Sequence, residues 1–181
     1  FNGVERANPN KMRLIITIIM TMAIKIAFAQ YPEGEMINFY GKITSINLND
    51  SAEKALDGIT VEFWADNQLL GSVVTAGKGK YTLNLPFKTT YTVKYGGGKY
   101  VQKIIEVDIS KFYDEADKRM LKMNVDMALF RNNDYIGLDF MSQLPVAKAE
   151  YNPRKKTLVW DEKYHSKMKE RILSVLNAYG Y

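Results

Sequence analysis

The chain has 181 residues, of which 46% are apolar, so it can bury the core of one domain with a small extension, and wholesale disorder is not expected. Its formal net charge is +5, but four cationic residues and one acidic residue precede residue 30, which leaves +2 on the remainder. So low a charge argues against nucleic acid as a partner. The absence of cysteine excludes disulfides, Cys-ligated metals and a lipidated N-terminal Cys.

The first 29 residues have the features of an upstream extension followed by a signal peptide. The segment FNGVERANPNK lacks periodicity, and Arg13 then precedes the apolar run Leu14–Phe28, which ends in the small-residue box Ala27–Ala29. That run spans about 15 residues and contains Lys25, whereas a membrane-spanning helix needs roughly 20 apolar residues. We therefore predict cleavage before Gln30 and export to the periplasm or the outer membrane, with no transmembrane span in the mature protein.

A polar leader at residues 30–38 is followed by a segment, residues 39–130, that is typical of a small antiparallel β-sandwich. Short stretches alternate apolar and polar residues and are separated by turn pairs such as Asp57-Gly58. The predicted strands cover residues 39–47, 59–64, 69–75, 80–85, 91–95, 100–107 and 121–130. Ser110 is expected to begin a short helix or ordered loop before the last of these strands.

Several motifs within this segment resemble one known family. They are GKIT at residues 41–44, ALDGITVEF at 55–63, GKGKYTLNLP at 77–86, YTVKY at 91–95 and YVQKIIEV at 100–107. Together they resemble the carboxypeptidase-regulatory-like, or transthyretin/prealbumin-like, domain. Typical members carry Asp or Glu-x-x-Gly before the tyrosine, whereas this chain has Ala76-Gly77-Lys78-Gly79. The resemblance implies a seven-stranded Greek-key sandwich without activity of its own, similar to accessory modules of envelope proteins in Gram-negative bacteria.

Residues 131–181 form a C-terminal extension with a predicted β-hairpin and an amphipathic helix. The hairpin joins residues 147–151 to 157–160, and Asp161 caps a helix that continues to about Tyr179. An apolar stripe runs along this helix through Tyr164, Met168, Ile172, Val175, Leu176 and Tyr179. An isolated helix of this length is unstable in water, so the stripe must dock on the sandwich, on a partner protein or on a membrane surface.

The sequence contains no recognisable catalytic constellation. His165 is the only histidine, so a His-based triad or a zinc site would lack partners. Carboxylates such as Glu62, Asp66 and Asp108 could serve a hydrolase of unknown type, but no spacing singles out a pair. We therefore predict a protein that is not an enzyme and that needs neither a metal nor a cofactor.

Two groups of aromatic residues are candidate binding surfaces. Since a sandwich of this kind does not need the extension, we expect the hairpin and helix to dock a partner through Tyr151, Trp160, Tyr164 and Met168. Alternatively, an aromatic platform on one sheet face would bind a glycan through Tyr40, Trp64, Tyr95 and Tyr100. The leading prediction is a non-catalytic, exported structural or protein-docking module of the bacterial periplasm or cell envelope, whose partner is another envelope protein. A carbohydrate-binding module and a hydrolase are the alternatives.

Overall fold

The computed structural model describes residues 36–47, 52–86, 89–112, 121–132 and 137–178. The predicted signal peptide and most of the leader lie outside these residues, as do most of the loop predicted after Ser110 and the last residue of the predicted helix. No helix in the described part of the chain is long and apolar enough to cross a membrane.

Eleven strands, one short 3-10 helix and one α-helix form in the described part of the chain. The strands are β1 (Met36–Asn47), β2 (Ala52–Ala55), β3 (Thr60–Ala65), β4 (Gln68–Val74), β5 (Lys80–Pro86), β6 (Thr90–Tyr95), β7 (Lys103–Asp108), β8 (Leu121–Asn124), β9 (Met127–Leu129), β10 (Ala147–Asn152) and β11 (Thr157–Trp160). The 3-10 helix is Asp139–Ser142, and the α-helix, α1, is Glu162–Ala178.

The strands form two sheets, and the protein is a β-sandwich with a C-terminal hairpin and helix, as the sequence predicts. The first sheet has the order β2-β1-β5, with β8 and β9 also paired to β1. The second sheet has the order β11-β10-β7-β6-β3-β4. The helix begins where the sequence predicts, because the Asp161 side chain accepts a hydrogen bond of 2.9 Å from the backbone N of Tyr164.

The sheets differ from the expected antiparallel arrangement. Strands β8 and β9 run parallel to β1, and β10 runs parallel to β7, so both sheets are mixed. The seven predicted strands correspond to β1, to β3 through β7, and to β8 with β9. This seventh strand is interrupted at Val125-Asp126, where the Val125 backbone N binds the Tyr40 carbonyl and the Asp126 carboxylate accepts from the Lys42 backbone N. Strand β2 lies between the first two predicted strands, where the sequence predicts no strand.

Two glycines of the family-like motifs have a steric role here. A Cβ atom on Gly41 would overlap the carbonyl oxygen of Val125, where the interrupted seventh strand runs alongside β1 between β8 and β9. Gly79 has φ +77°, and a Cβ atom there would overlap the carbonyl oxygen of Ile43. The Gly79 backbone N also donates to the Asp57 carboxylate at 2.6 Å, which ties the predicted Asp57-Gly58 turn to the start of β5.

The core between the sheets is aromatic and contains a buried pair of tyrosines. Phe39 and Phe63 meet edge to face with ring centroids 6.2 Å apart. The Tyr81 hydroxyl donates to the carbonyl oxygen of Val125 at 2.8 Å and lies 3.2 Å from the Tyr95 hydroxyl. Since the single hydroxyl proton of Tyr81 is used by Val125, Tyr95 is the donor within the pair. Burial raises the pKa of both tyrosines above the usual value.

The C-terminal extension is packed into the same structure. Tyr151 of β10 is 4% exposed, and its ring meets that of Phe112 with centroids 5.0 Å apart. Leu176 of α1 packs in a second apolar cluster, together with Val101, Phe130, Leu138 and Met141. The helix stripe therefore docks on the sandwich. The extension contributes core side chains, although the sequence predicts that the sandwich does not need it.

Candidate functional site

The four residues predicted to dock a partner mainly attach the extension to the sandwich. Tyr151 and Met168 are buried, at 4% and 7% exposure, so their side chains are not available at the surface. Tyr164 is half-buried, and its hydroxyl donates to the Pro145 carbonyl at 2.7 Å. Trp160 is half-buried beside a cavity under α1. The prediction that these four residues form one exposed docking face is therefore wrong for Tyr151 and Met168.

The four residues predicted for a carbohydrate platform do not share a surface. Tyr95 lies in the core with 0% exposure, Tyr40 belongs to the first sheet and Trp64 belongs to the second. Tyr100 is half-buried and packs against the core. The Trp64 ring is covered by the ammonium group of Lys94, which lies 3.9 Å from the ring centroid. A sugar could stack on that side of the indole only by displacing Lys94.

The described residues offer little support for hydrolytic or metal chemistry. Among them, no group of three His, Asp or Glu side chains is placed to hold a metal ion. A hydrolase that uses a pair of carboxylates, as glycoside hydrolases do, needs one carboxyl with a raised pKa as its acid. The pKa of Asp108 is instead lowered, first of all because the Ser110 hydroxyl donates to its carboxylate at 2.6 Å.

The first feature that remains as a candidate site is the outer edge of β4. This strand is the last in the second sheet, so only β3 pairs with it in the described structure. Its sequence is QLLGSVV, seven residues without a charge or a proline. Proteins commonly protect an exposed edge strand with charged residues or proline, and an unprotected edge is a template for pairing with another chain. Leu69 and Val74 of this strand are 50% and 56% exposed.

The backbone of β4 shows which groups face outwards. The Thr75 backbone N donates to the Ile59 carbonyl at 2.9 Å, and the register continues in steps of two through Val73 and Gly71. Because alternate residues of an antiparallel strand point their N–H and C=O groups to opposite sides, Ser72 and Val74 direct theirs away from β3. A register shift at Leu70 limits the regular part of the edge to residues 71–74.

A groove of about 570 Å³ lies between this edge and strands β1 and β5 of the first sheet. Its apolar walls include Tyr40, Val73 and Val74, and no carboxylate lines it. Lys42 and Lys80 also line the groove and lie directly opposite each other on β1 and β5. Like charges in this position repel, and the two ammonium groups would attract an acidic side chain of a partner.

A second candidate site is a cavity of about 660 Å³ between α1 and the two sheets. Its inner wall is apolar and includes Ile105, Val125, Met127, Phe130 and Leu176. One cation, Lys103 at the start of β7, is buried in this wall with 8% exposure. Exposed polar and charged side chains surround the opening, namely Asn124, Asp126, Glu162, His165 and Lys169.

Lys103 is the most unusual residue of this cavity. Its Nζ lies 4.4 Å from the centroid of the Phe130 ring, and no carboxylate of the described residues lies within ion-pair distance of it. Burial lowers the pKa of the ammonium from its ordinary value to about 8, because the charged form loses hydration. In the sequence, the alternation of Lys103 with Ile105 and Val107 on one strand face was the signal that could have indicated an inward-facing lysine.

Comparison with known proteins identifies no family. No family model matches the chain, and no curated protein matches it. Among solved structures, the Bacillus anthracis TIE protein is similar at 15% identity and a TM-score of 0.38, over 52% of this chain and 17% of that one. Catechol 1,2-dioxygenase from Acinetobacter sp. ADP1 is similar at 14% identity and a TM-score of 0.38, over 56% of this chain and 54% of the enzyme. The match therefore spans about half of the dioxygenase and a smaller share of the TIE protein.

Proposed function

We propose that the protein is a non-catalytic docking module of the bacterial cell envelope, and that it binds an extended segment of another envelope protein by strand addition at β4. The observation that carries this proposal is the unprotected β4 edge with its outward-facing backbone groups at Ser72 and Val74. In strand addition, main-chain hydrogen bonds supply affinity, and alternate side chains of the added strand enter neighbouring pockets. The groove beside β4 provides such a pocket.

The chemistry of the groove restricts the partner segment. An added strand would place one set of its alternate side chains on the groove side, against Tyr40 and Val73, so these positions favour apolar residues. Lys42 and Lys80 favour at least one acidic residue on the same segment. The expected partner sequence therefore carries apolar residues and at least one Asp or Glu at every second position, on the face that meets the groove, and contains no proline in the paired stretch.

Binding by strand addition can be tested with Ser72→Pro and the matched variant Ser72→Ala. Proline removes the outward N–H while leaving the β3 side of the ladder intact, and alanine retains that N–H. Captured envelope proteins and synthetic extended peptides of the expected pattern should bind the wild type and Ser72→Ala equally. Ser72→Pro should bind about 10-fold more weakly, since one main-chain hydrogen bond is lost and the proline ring obstructs the adjoining strand.

Two results would contradict this function. Equal binding by Ser72→Pro and Ser72→Ala would show that the edge is not used. A stable homodimer of the wild type that Ser72→Pro dissociates would show that β4 pairs with a second copy of the chain, so the edge would be an oligomer contact. Sedimentation velocity measured beside the binding assay separates the two cases.

The envelope location rests on the predicted signal peptide and on the resemblance to carboxypeptidase-regulatory-like domains. If the location is right, a tagged full-length chain expressed in a Gram-negative host is recovered in the periplasmic or outer-membrane fraction. Its N-terminal sequence then begins at Gln30. Recovery in the cytoplasm with residues 1–29 intact would remove this part of the proposal.

A further inference from the structure

We propose that the cavity beneath α1 binds a small amphipathic molecule, a free fatty acid, whose carboxylate pairs with Lys103 and whose hydrocarbon chain lies against the apolar wall. Lys103 and the apolar wall of this cavity do not line the groove beside β4, with which the cavity shares only Asn124, and the inference does not depend on the docking function. The inference rests on three observations, which concern the size of the cavity, its lining and the state of its one buried cation.

The cavity has the dimensions and lining of a small-molecule site. Such sites usually have volumes of about 300–1,000 Å³, mostly apolar walls and a few polar groups that orient the ligand. This cavity, at about 660 Å³, falls within that range, and buried side chains such as Ile105, Met127 and Leu176 form its wall. An apolar cavity is poorly suited to water, since water needs two or more polar partners. A hydrocarbon chain suits the same space.

The helix covering the cavity leaves part of its apolar surface unburied. Leu173 lines the cavity but is still 46% exposed, whereas Leu176, one turn away on α1, is 6% exposed. Met168 of the same helix is also buried, at 7% exposure, so the uncovered apolar surface on this side of α1 is at Leu173. A ligand in the cavity would cover this surface and add apolar burial without any rearrangement of the helix.

Lys103 determines the chemistry of the ligand's head group. An ammonium group held in apolar surroundings is stabilised when an anion pairs with it. Contact with the Phe130 ring at 4.4 Å supplies part of that stabilisation, but the described residues supply no carboxylate to the ammonium. A single carboxylate matches a single buried ammonium. A nucleotide or a phosphate dianion would require several more donors than this wall provides.

The test uses the full chain with a series of saturated fatty acids of increasing length and the alcohols of matching length. Trp160 lines the cavity, so its fluorescence in a Trp64→Phe background reports occupancy, and titration calorimetry gives the stoichiometry. We expect saturable binding of one fatty acid per chain. Affinity should rise with chain length until the cavity is full.

Two variants separate the roles of charge and space. Lys103→Met keeps the length and apolar stem of the side chain but removes the charge, so it should weaken fatty-acid binding by about 10- to 100-fold while leaving alcohol binding unchanged. Leu173→Trp occupies space at the cavity wall, so it should weaken the fatty acid and the alcohol alike. Lys163→Met on the exposed face of α1 is the control for loss of a nearby charge and should bind as the wild type does.

Several outcomes would overturn the inference. One is the absence of saturable binding at every chain length. Another is equal fatty-acid affinity in the wild type and in Lys103→Met, since the ammonium would then have no part in recognition. A third is binding of a lysophospholipid with the same acyl chain in place of the free acid, which would assign the site to a phosphate head group.

Discussion

Replacing Lys103 by methionine should stabilise the protein, although it removes a charged residue from a strand. The pKa of Lys103 is lowered from 10.5 to about 8 in the folded state. The unfolded chain therefore holds its proton more tightly than the folded one, and below pH 8 this difference costs about 3 kcal/mol of stability at about 1.4 kcal/mol per pKa unit. Methionine has a similar length and carries no such cost.

The net gain is smaller than this figure. The variant also loses the cation–π contact with Phe130, which contributes about 1 kcal/mol in a desolvated setting. We expect the free energy of unfolding to rise by about 2 kcal/mol at pH 7. As pH increases, the ammonium deprotonates in the folded state before it does in the unfolded state, so the wild type should gain about 1 kcal/mol of stability between pH 7 and pH 9. The difference in stability between the variant and the wild type should narrow by the same amount.

Urea denaturation at pH 7 and pH 9 measures both effects, provided that the m-values of wild type and variant agree. Lys163→Met is the matched control, since Lys163 is exposed on α1, and its effect should remain within about 0.5 kcal/mol. If Lys103→Met lowers the free energy of unfolding at pH 7, the buried ammonium is better compensated than the geometry indicates. A gap that stays constant from pH 7 to pH 9 would equally refute the reasoning.

The remaining predictions concern the close approach of Gly41 to Val125 and the buried pair of tyrosines. Gly41→Ala should lower the free energy of unfolding by more than about 2 kcal/mol, because its Cβ would overlap the Val125 backbone. The control Gly58→Ala, with φ +79° and open space around it, should lower it by about 1 kcal/mol. Equal losses of stability in thermal unfolding would contradict this. Tyr95→Phe should cost about 1 kcal/mol through the lost hydrogen bond to Tyr81, by urea denaturation at pH 7. Since the folded state raises the pKa of both tyrosines, the stability that they contribute is fully present below pH 10 and is lost as pH rises above it. This alkaline loss of stability should be shallower in Tyr95→Phe. An identical alkaline profile would show that the pair does not titrate as a buried unit.

Most strands could be predicted because local signals agree with the fold. Alternation within β3, β5 and β6 is strict, and the Asp57-Gly58 turn is secured by the hydrogen bond from Gly79. Strand β2 was missed because its sequence, AEKA, consists of residues with low β-propensity, and only pairing with β1 makes it a strand. The break at Val125-Asp126 was also missed, since apolar and polar residues alternate without interruption through residues 121–127.

The candidate sites were less accessible to sequence reasoning than the strands. Whether β4 is an edge depends on the strand order of the whole sheet, and no local pattern encodes that order. Burial of Tyr151 likewise follows from the parallel pairing of β10 with β7, a long-range contact. An aromatic residue in an amphipathic element fits both a core and an interface, so composition favoured the wrong assignment for Tyr151 and Met168.

Lys103 links the stability of the sandwich to its proposed ligand. A cost of about 3 kcal/mol is large beside the total stability of roughly 5–15 kcal/mol that is usual for a domain. Groups with strongly perturbed pKa values in clefts are often functional, because a bound ligand recovers the free energy that the empty site lacks. A fatty acid paired with Lys103 would raise the pKa of the ammonium again and should stabilise the folded chain. The same methionine variant would then be more stable than the wild type without ligand and would lose most of the stabilisation that the ligand gives.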